Sequence, residues 1–378
     1  MKVAVLKETA PYERRVAAVP DTVARLVKAG AEVIVESGAG NESFFKDKDF
    51  EAAGARIAPD AKTALSDADI LIKVNKPTDA EIDAMKAGAV FMGFLSAFSN
   101  PGTVKRLAEK KISSLAMEMV PRITRAQTMD ALSSMSTIAG YKAVIMAADS
   151  LKKLIPMLST AAGTIHPAKA VIIGAGVAGL QAIATAKRLG AVVTAFDTRP
   201  AVGEQIKSLG AEFVPLDVVH EQAEDKGGYA TEMSADFYKQ EQEIIRKHTK
   251  DADMVITTAL IPGKPAPTLI TEEMVKEMKP GSVIVDLSVE QGGNCALSEA
   301  GKTTVKHDVT IIGMVNLPAM LPVNASALYA RNIFNFLTLL TPGKKEITID
   351  LNDEIIKGSL ITHNGEIVHQ RVKDAAKI

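Results

Sequence analysis

The chain has 378 residues, 47% hydrophobic and 24% charged, enough for two ordinary globular domains, each with its own core. Its 44 basic and 45 acidic residues give a formal charge of -1 with no long block of either sign, which argues against a nucleic-acid or anionic-membrane partner. The single Cys295 excludes an internal disulfide, and the opening MKVAVLKE runs into a strand pattern instead of a signal peptide, so a cytoplasmic location is expected.

From the start, short apolar strands alternate with helices. VAVL (3–6) is followed by PDTVARLVKAG (20–30), where Asp21 stands in the first turn, Val23, Leu26 and Val27 recur at helical spacing and Gly30 stops the helix; EVIVE (32–36) comes next. ADILIKV (68–74), AVFMGFL (89–95), the helix NPGTVKRLAEKK and ISSLAMEM (112–119) continue the alternation. Such alternation implies a parallel, doubly wound sheet. A long helix over about 129–154 leads to a second set of strands: 170–176, 191–197, 212–217, 252–258, 282–288 and 309–314. A helix over 325–340 and a short tail follow, and the tail has too little apolar periodicity for a core of its own. The pattern predicts an α/β protein of two Rossmann-like doubly wound parallel-sheet domains with a cleft between them. The first is discontinuous, 1–135 plus 325–378, and the second spans 136–324. Two uncharged stretches, 87–104 and 309–330, fail as membrane spans because they carry Gly93, Ser96, Asn100 and Pro101, and Asn316, Pro318, Pro322 and Asn324. They read as buried turns and interdomain segments.

VIIGAGVAGL places Gly174, Gly176 and Gly179 in GxGxxG spacing between an apolar strand and a helix. The first glycine makes the tight turn, the second lets backbone approach a pyrophosphate, and the third allows close packing of a helix whose N-terminus attracts the anion. The next strand ends in FDTR, with Asp197 18 residues after Gly179, where a carboxylate accepts from a ribose 2′-hydroxyl. Its charge favours NAD(H) over NADP(H), although Arg199 weakens that inference slightly. The alternative is a glycine-rich turn in an unrelated α/β protein, with a capping Asp.

A dehydrogenase of a small hydroxy or amino acid moves a proton as well as a hydride. None of His166, His220, His248, His307, His363 and His369 stands out as the acid, no His/Cys pair has metal-ligand spacing, and Ser133 and Ser134 lack a G-x-S-x-G elbow. No metal is expected. The polar stretch PRITRAQTMD (121–130) carries Arg122, Arg125, Gln127 and Asp130; a helix-capping loop with a surface salt bridge is the alternative to a functional role for it.

PRITRAQTMDALSSMSTIAGYKAV, GAGVAGLQAIATAKRLGAVV, TTALIPGKPAPTLIT and VDLSVEQGGNC together resemble the NAD(H)-binding component, domain I, of proton-translocating nicotinamide nucleotide transhydrogenase, over essentially the whole chain. Alanine dehydrogenase is a more distant likeness. Where its pattern has a histidine and an aspartate, this chain has Phe94 and Glu290, while Arg15 and Lys73 match its substrate-binding Arg and Lys. The resemblance implies hydride transfer between NAD(H) and NADP(H) on a partner subunit, coupled to proton translocation, so that the site needs positioning groups and no acid. It implies that Arg122, Gln127, Asp130 and Ser133 surround the nicotinamide, its ribose and the pyrophosphate. It assigns Arg125, Gly174, Gly176, Val177, Gly179, Asp197, Thr198, Arg199, Gly228, Tyr229 and Leu260 to cofactor binding. A mobile loop over about 217–240, with Tyr229 at its tip, is expected to close over the nucleotide. The implied assembly is a homodimer with separate membrane and NADP(H)-binding subunits, peripheral on the cytoplasmic face of the inner membrane. An amino-acid dehydrogenase of the alanine dehydrogenase type and a non-enzymatic NAD-binding sensor are the alternatives.

Overall fold

The computed structural model describes residues 1–215, 234–261, 264–341 and 346–376. These fall into two compact units, Met1–Met135 with Ala319–Ile378, and Ser136–Pro318.

In the first unit β1 (Lys2–Val5), β2 (Glu32–Glu36), β3 (Arg56–Ala58), β4 (Ile70–Ile72), β5 (Val90–Gly93) and β6 (Ser113–Ala116) form parallel pairs in the order β3-β2-β1-β4-β5-β6. Every residue of β4, β5 and β6 is buried, which is why β4 and β5 read as apolar runs, while β6 buries Ser113 and Ser114 as well. The helix Pro20–Lys28 has proline in its first turn, and Gly30, at φ 91°, turns the chain into β2.

The second unit opens with the hairpin β7 (Leu158–Thr160) and β8 (Gly163–Ile165). It continues with β9 (Lys169–Ile173), β10 (Val192–Phe196), β11 (Glu212–Phe213), β12 (Met254–Thr257), β13 (Val283–Asp286), β14 (Lys302–Lys306) and β15 (Val309–Gly313). The sheet order is β11-β10-β9-β12-β13-β15-β14, parallel except for the β14–β15 pair. The final strands β16 (Leu360–His363) and β17 (Glu366–Ile367) add antiparallel to β6, extending the first sheet to eight strands.

Both sheets therefore reverse their strand order at one place, between β1 and β4 in the first and between β9 and β12 in the second. Open α/β sheets bind ligands at the carboxyl ends of the strands at such a point. Some elements differ from expectation. The strand expected over 212–217 is two residues long, the helix Ala131–Ser150 stops short of 154, and Ala235–Thr249 is helical, so the segment expected as loop to 240 is helix from 235. Among the described residues no helix is long and apolar enough to cross a membrane.

Candidate functional site

At the switch point of the second sheet, Gly174 leaves β9 at φ 90°, a conformation favouring glycine, and Gly176 caps the helix Val177–Arg188. The three glycines do different work. A Cβ on Gly179 would lie 1.8 Å from the Gly174 carbonyl oxygen, and one on Gly174 would lie 2.6 Å from Thr258 Oγ1, so both serve close packing. A Cβ on Gly176 would meet nothing within 4 Å. Its lack of a side chain therefore keeps space open above the helix N-terminus, where the free backbone amides and the dipole favour a pyrophosphate. Gly140 brings the helix Ala131–Ser150 onto the start of this helix, since its Cβ would be 2.1 Å from the Ala178 carbonyl oxygen. Val177 and Thr198 are half-buried beside the turn and strand end, and Leu260 is exposed on the loop after β12.

Asp197 directly follows β10 and is buried, at 8% exposure. Its Oδ2 accepts from the Ala175 backbone N–H at 2.7 Å and from Arg199 Nη2 at 2.9 Å. Its Oδ1 accepts from the Arg199 backbone N–H at 2.9 Å and from Arg199 Nε at 2.8 Å. Four donors fill the capacity of a carboxylate, so a ribose hydroxyl must take the place of an Arg199 contact.

The loop after β12 is fixed by residues that sequence reasoning quoted only as a family signature. Asn294 Nδ2 donates to the Ala259 and Pro267 carbonyl oxygens, at 2.9 and 2.8 Å, and its Oδ1 accepts from the Ala259 N–H at 3.0 Å. Ser288 Oγ donates to Asn294 Oδ1 at 2.7 Å. Asp286, fully buried, accepts from Thr257 Oγ1 and from the backbone N–H groups of Ser288 and Cys295 at 2.9–3.0 Å. This network holds the wall opposite the glycine turn, where Thr258 Oγ1 donates to the Gly174 carbonyl oxygen at 3.0 Å. SVEQGGNC was legible as a motif, but its partners lie about 30 residues away in the chain.

In the first unit the residues of PRITRAQTMD divide. Asp130 caps the helix Ala131–Ser150: Oδ1 accepts from the Ser133 N–H at 2.8 Å and Oδ2 from Ser133 Oγ at 2.6 Å. Arg125 donates to Asp353 Oδ2 at 2.7 Å, with Glu354 at 3.9 Å. The Thr128 carbonyl oxygen accepts from Asn332 and Asn335 Nδ2 at 2.9 and 3.0 Å, which ties the loop to the helix Pro322–Leu340. Arg122 and Gln127 are exposed.

The switch point of the first sheet holds a buried ionic cluster. Arg15 binds Glu13 through Nε and Nη2, both at 2.7 Å, and Lys73 Nζ reaches both oxygens of Glu81 at 2.7 and 2.9 Å. Burial pushes the Glu13 carboxyl up, but Arg15 and Asn75 outweigh it and hold the group at about 2. Glu8, between Lys73 and the Val74 N–H, is instead pushed up by burial to about 7. Arg15 and Lys73 are thus neutralised within their own unit. Phe94 packs against Tyr329 with the rings tilted at 45° and 5.2 Å between centroids, and Tyr329 Oη donates to the Lys73 carbonyl oxygen at 2.8 Å.

The described histidines have ordinary partners where the structure gives them one: His248 lies edge-on to Phe196, His307 contacts Glu272, and His363 contacts Ser113. Burial pushes the Cys295 thiol up to about 11, which makes it a poor nucleophile. Among the described residues no group of three His, Cys, Asp or Glu could hold a metal ion. Gly228, Tyr229 and His220 lie outside the described residues.

A Gly-rich turn at the switch point of the mostly parallel β11-β10-β9-β12-β13-β15-β14 sheet, closed by an acidic residue just past the next strand, defines a dinucleotide-binding α/β protein. Family models for the N-terminal and C-terminal domains of alanine dehydrogenase/PNT match residues 4–139 and 143–370. The chain is 51% identical over 376 residues to the first polypeptide of the NAD(P) transhydrogenase subunit alpha of Rhodospirillum rubrum, covering 98% of each. Among solved structures, a transhydrogenase from Sinorhizobium meliloti superposes with a TM-score of 0.85 at 42% identity, over 98% of this chain and 100% of that one. An L-alanine dehydrogenase superposes at 0.81 with 26% identity, over 99% of each. The chain belongs to the alanine dehydrogenase/PNT family.

Proposed function

We propose that this chain is the NAD(H)-binding catalytic subunit of a proton-translocating transhydrogenase, passing a hydride between NAD(H) and NADP(H) held on a partner subunit. The observation that carries the nucleotide half is the open space at Gly176 above a helix N-terminus, with Asp197 at the neighbouring strand end. The glycine turn would hold the pyrophosphate, Asp197 the adenosine ribose, and Leu260 the rim. When bound, the nicotinamide supplies the carbon that gives or takes the hydride. Arg122, Gln127, Asp130 and Ser133 position that half, and a transfer between two nicotinamides asks positioning of them and no proton. The alanine dehydrogenase reading is weakened by Phe94 and by the internal pairing of Arg15 and Lys73.

The names of the relatives support a multi-subunit assembly, since they are alpha subunits. We assign proton conduction to a separate membrane subunit and place this chain peripherally on the cytoplasmic face of the inner membrane. A homodimer is supported by the hairpin β7–β8, all of whose strand residues are exposed, among them Leu158 and Ile165.

The nucleotide half has a direct test. The isolated chain should bind NADH in preference to NADPH, and Asp197→Ala should erode that preference about tenfold or more, the scale of a lost hydrogen bond to a charged group. Equal affinities for the two nucleotides in the unmutated chain, by fluorescence titration, would contradict the assignment.

A further inference from the structure

Asn294 is fully buried in the second unit. Gly292 and Gly293, at φ 102° and 84°, turn the chain just before it, and its carbonyl oxygen accepts from the Leu269 and Ile270 N–H groups at 2.8 and 2.9 Å. With the backbone held, the side chain has one amide to spend. Its two N–H hydrogens go to the Ala259 and Pro267 carbonyl oxygens, and its oxygen takes the Ala259 N–H and the Ser288 hydroxyl. Two donors and two acceptors are the full capacity of a carboxamide. The partners also fix which way round it lies, since a reversed amide would set its N–H groups against the Ala259 N–H and its oxygen against two carbonyls. An ionised carboxylate of the same size has no donor to offer here, and leucine has neither donor nor acceptor.

The chain that this amide holds leaves the carboxyl end of β12 beside the glycine turn. Thr258 donates to the Gly174 carbonyl oxygen, Ala259 follows it, and Leu260 comes next, an apolar side chain left 37% exposed. β12 and β9 flank the switch point of the sheet, and the loops outside their carboxyl ends are where an open α/β sheet takes its ligand. We propose that Asn294 is a positioning residue for the nucleotide: by clamping Ala259 and Pro267 it sets where Leu260 and the Ala259 peptide stand against the glycine turn, and so how well the dinucleotide fits. The proposal rests on the nucleotide reading above and extends it to a residue buried behind the site. An unclamped loop that shifts by about 1 Å would spoil that fit without unfolding the unit.

Asn294→Asp separates this role from a general structural one. It keeps the size and the acceptor end, but once ionised it sets a negative oxygen against the Ala259 and Pro267 carbonyls; protonated, it can donate to one of them. The titratable groups beside it are Asp286, which accepts from Thr257 Oγ1 and from the Ser288 and Cys295 N–H groups, and the Cys295 thiol, which burial pushes up to about 11 and so keeps neutral. Burial and the Asp286 charge both favour the protonated form of the introduced carboxyl. Its pKa is then higher folded than unfolded, so the clamp is kept at low pH and lost as the pH rises through the folded value. The native amide does not titrate, and the ratio of native to variant affinity therefore reports the clamp.

The test titrates NADH into the intact chain, native and Asn294→Asp, at about pH 5.5 and about pH 8.5, with thermal melting followed at both. At the higher pH the variant, still folded, should bind NADH about tenfold or more weakly, and at the lower pH the gap should narrow to about threefold or less. Asp253→Ala is the comparison for plain loosening. Asp253, 6% exposed, accepts from the Lys169 N–H at 2.8 Å and from Lys153 Nζ at 2.9 Å at the opposite, amino end of β9 and β12. Its loss should lower the melting temperature and leave NADH affinity within about twofold. Ser288→Ala, which removes the hydroxyl behind the Asn294 oxygen and keeps the amide, is the milder second variant and should weaken NADH about threefold. The proposal is overturned if folded Asn294→Asp binds NADH like the native chain at the higher pH, if its deficit is the same at both pH values, or if Asp253→Ala loses as much affinity. Should Asn294→Asp not fold, undiminished NADH affinity in Ser288→Ala overturns it. A native chain that does not bind NADH overturns it together with the nucleotide reading; a native chain that binds, with variants that bind alike, overturns it alone.

Discussion

Gly179→Ala should destabilise the second unit and abolish NADH binding, whereas Gly176→Ala should leave the fold intact and lose binding alone. The added methyl at 179 would sit 1.8 Å from the Gly174 carbonyl oxygen and 2.8 Å from its carbon, both backbone atoms of the turn. Neither can retreat without undoing the left-handed Gly174 or the Thr258 bond that fixes it. Overpacking of this kind costs about 1–3 kcal/mol or more, and for a unit of this size each kcal/mol lowers the melting temperature by roughly 2–4 °C. At 176 the methyl meets no protein atom within 4 Å. It would instead occupy the space the pyrophosphate needs, so NADH affinity should drop about tenfold or more while the melting temperature stays within about 2 °C. Thermal melting and NADH titration on both variants check this. If Gly176→Ala binds NADH normally, the open space is not the pyrophosphate site.

Lys73→Met should be the most damaging single change in the first unit. Lys73 is 1% exposed and Glu81 7%, and the ammonium meets both carboxylate oxygens, so its removal leaves a buried charge with the Thr78 N–H as its remaining donor. Breaking a buried pair from one side costs about 3–5 kcal/mol, whereas removing both charges together is often close to neutral. The double variant Lys73→Met/Glu81→Gln keeps an acceptor for Thr78 and should recover most of the loss. Urea unfolding of the three chains measures it. A single variant less than about 1 kcal/mol below the native chain would show that the pair is not the structural contact drawn here. NADH affinity should be unchanged in both variants, as expected of an ion pair that no longer serves a substrate.

Much of the fold could be read from the chain because parallel strands buried on both faces are written as continuous apolar runs, as in ILI at 70–72 and VIV at 283–285. The strands that escaped notice are short or exposed. Arg56–Ala58 is three residues long and begins with an exposed arginine, Lys302–Lys306 is an edge strand with Lys at both ends, and the strands of the hairpin at 158–165 are wholly exposed. The glycine fingerprint showed in its spacing which residues belong to the turn. What spacing could not show is the division of labour among the glycines, or that Arg199 covers Asp197. Asp130 and Arg125 were assigned to the nucleotide through the resemblance, and the structure gives each a local partner, Ser133 and Asp353, which are the cap and the salt bridge of the alternative reading.

The central claim is that this chain passes a hydride to a nucleotide held elsewhere. Its most direct measurement is hydride transfer from NADH to an NADP analogue, followed optically, before and after adding a purified NADP(H)-binding subunit of a transhydrogenase. The account predicts no transfer by the chain alone, transfer once the partner is present, and no reduction of NAD by alanine in either case. Alanine-dependent NAD reduction at an ordinary enzymatic rate, with no transfer to the NADP analogue in the presence of the partner, would contradict it.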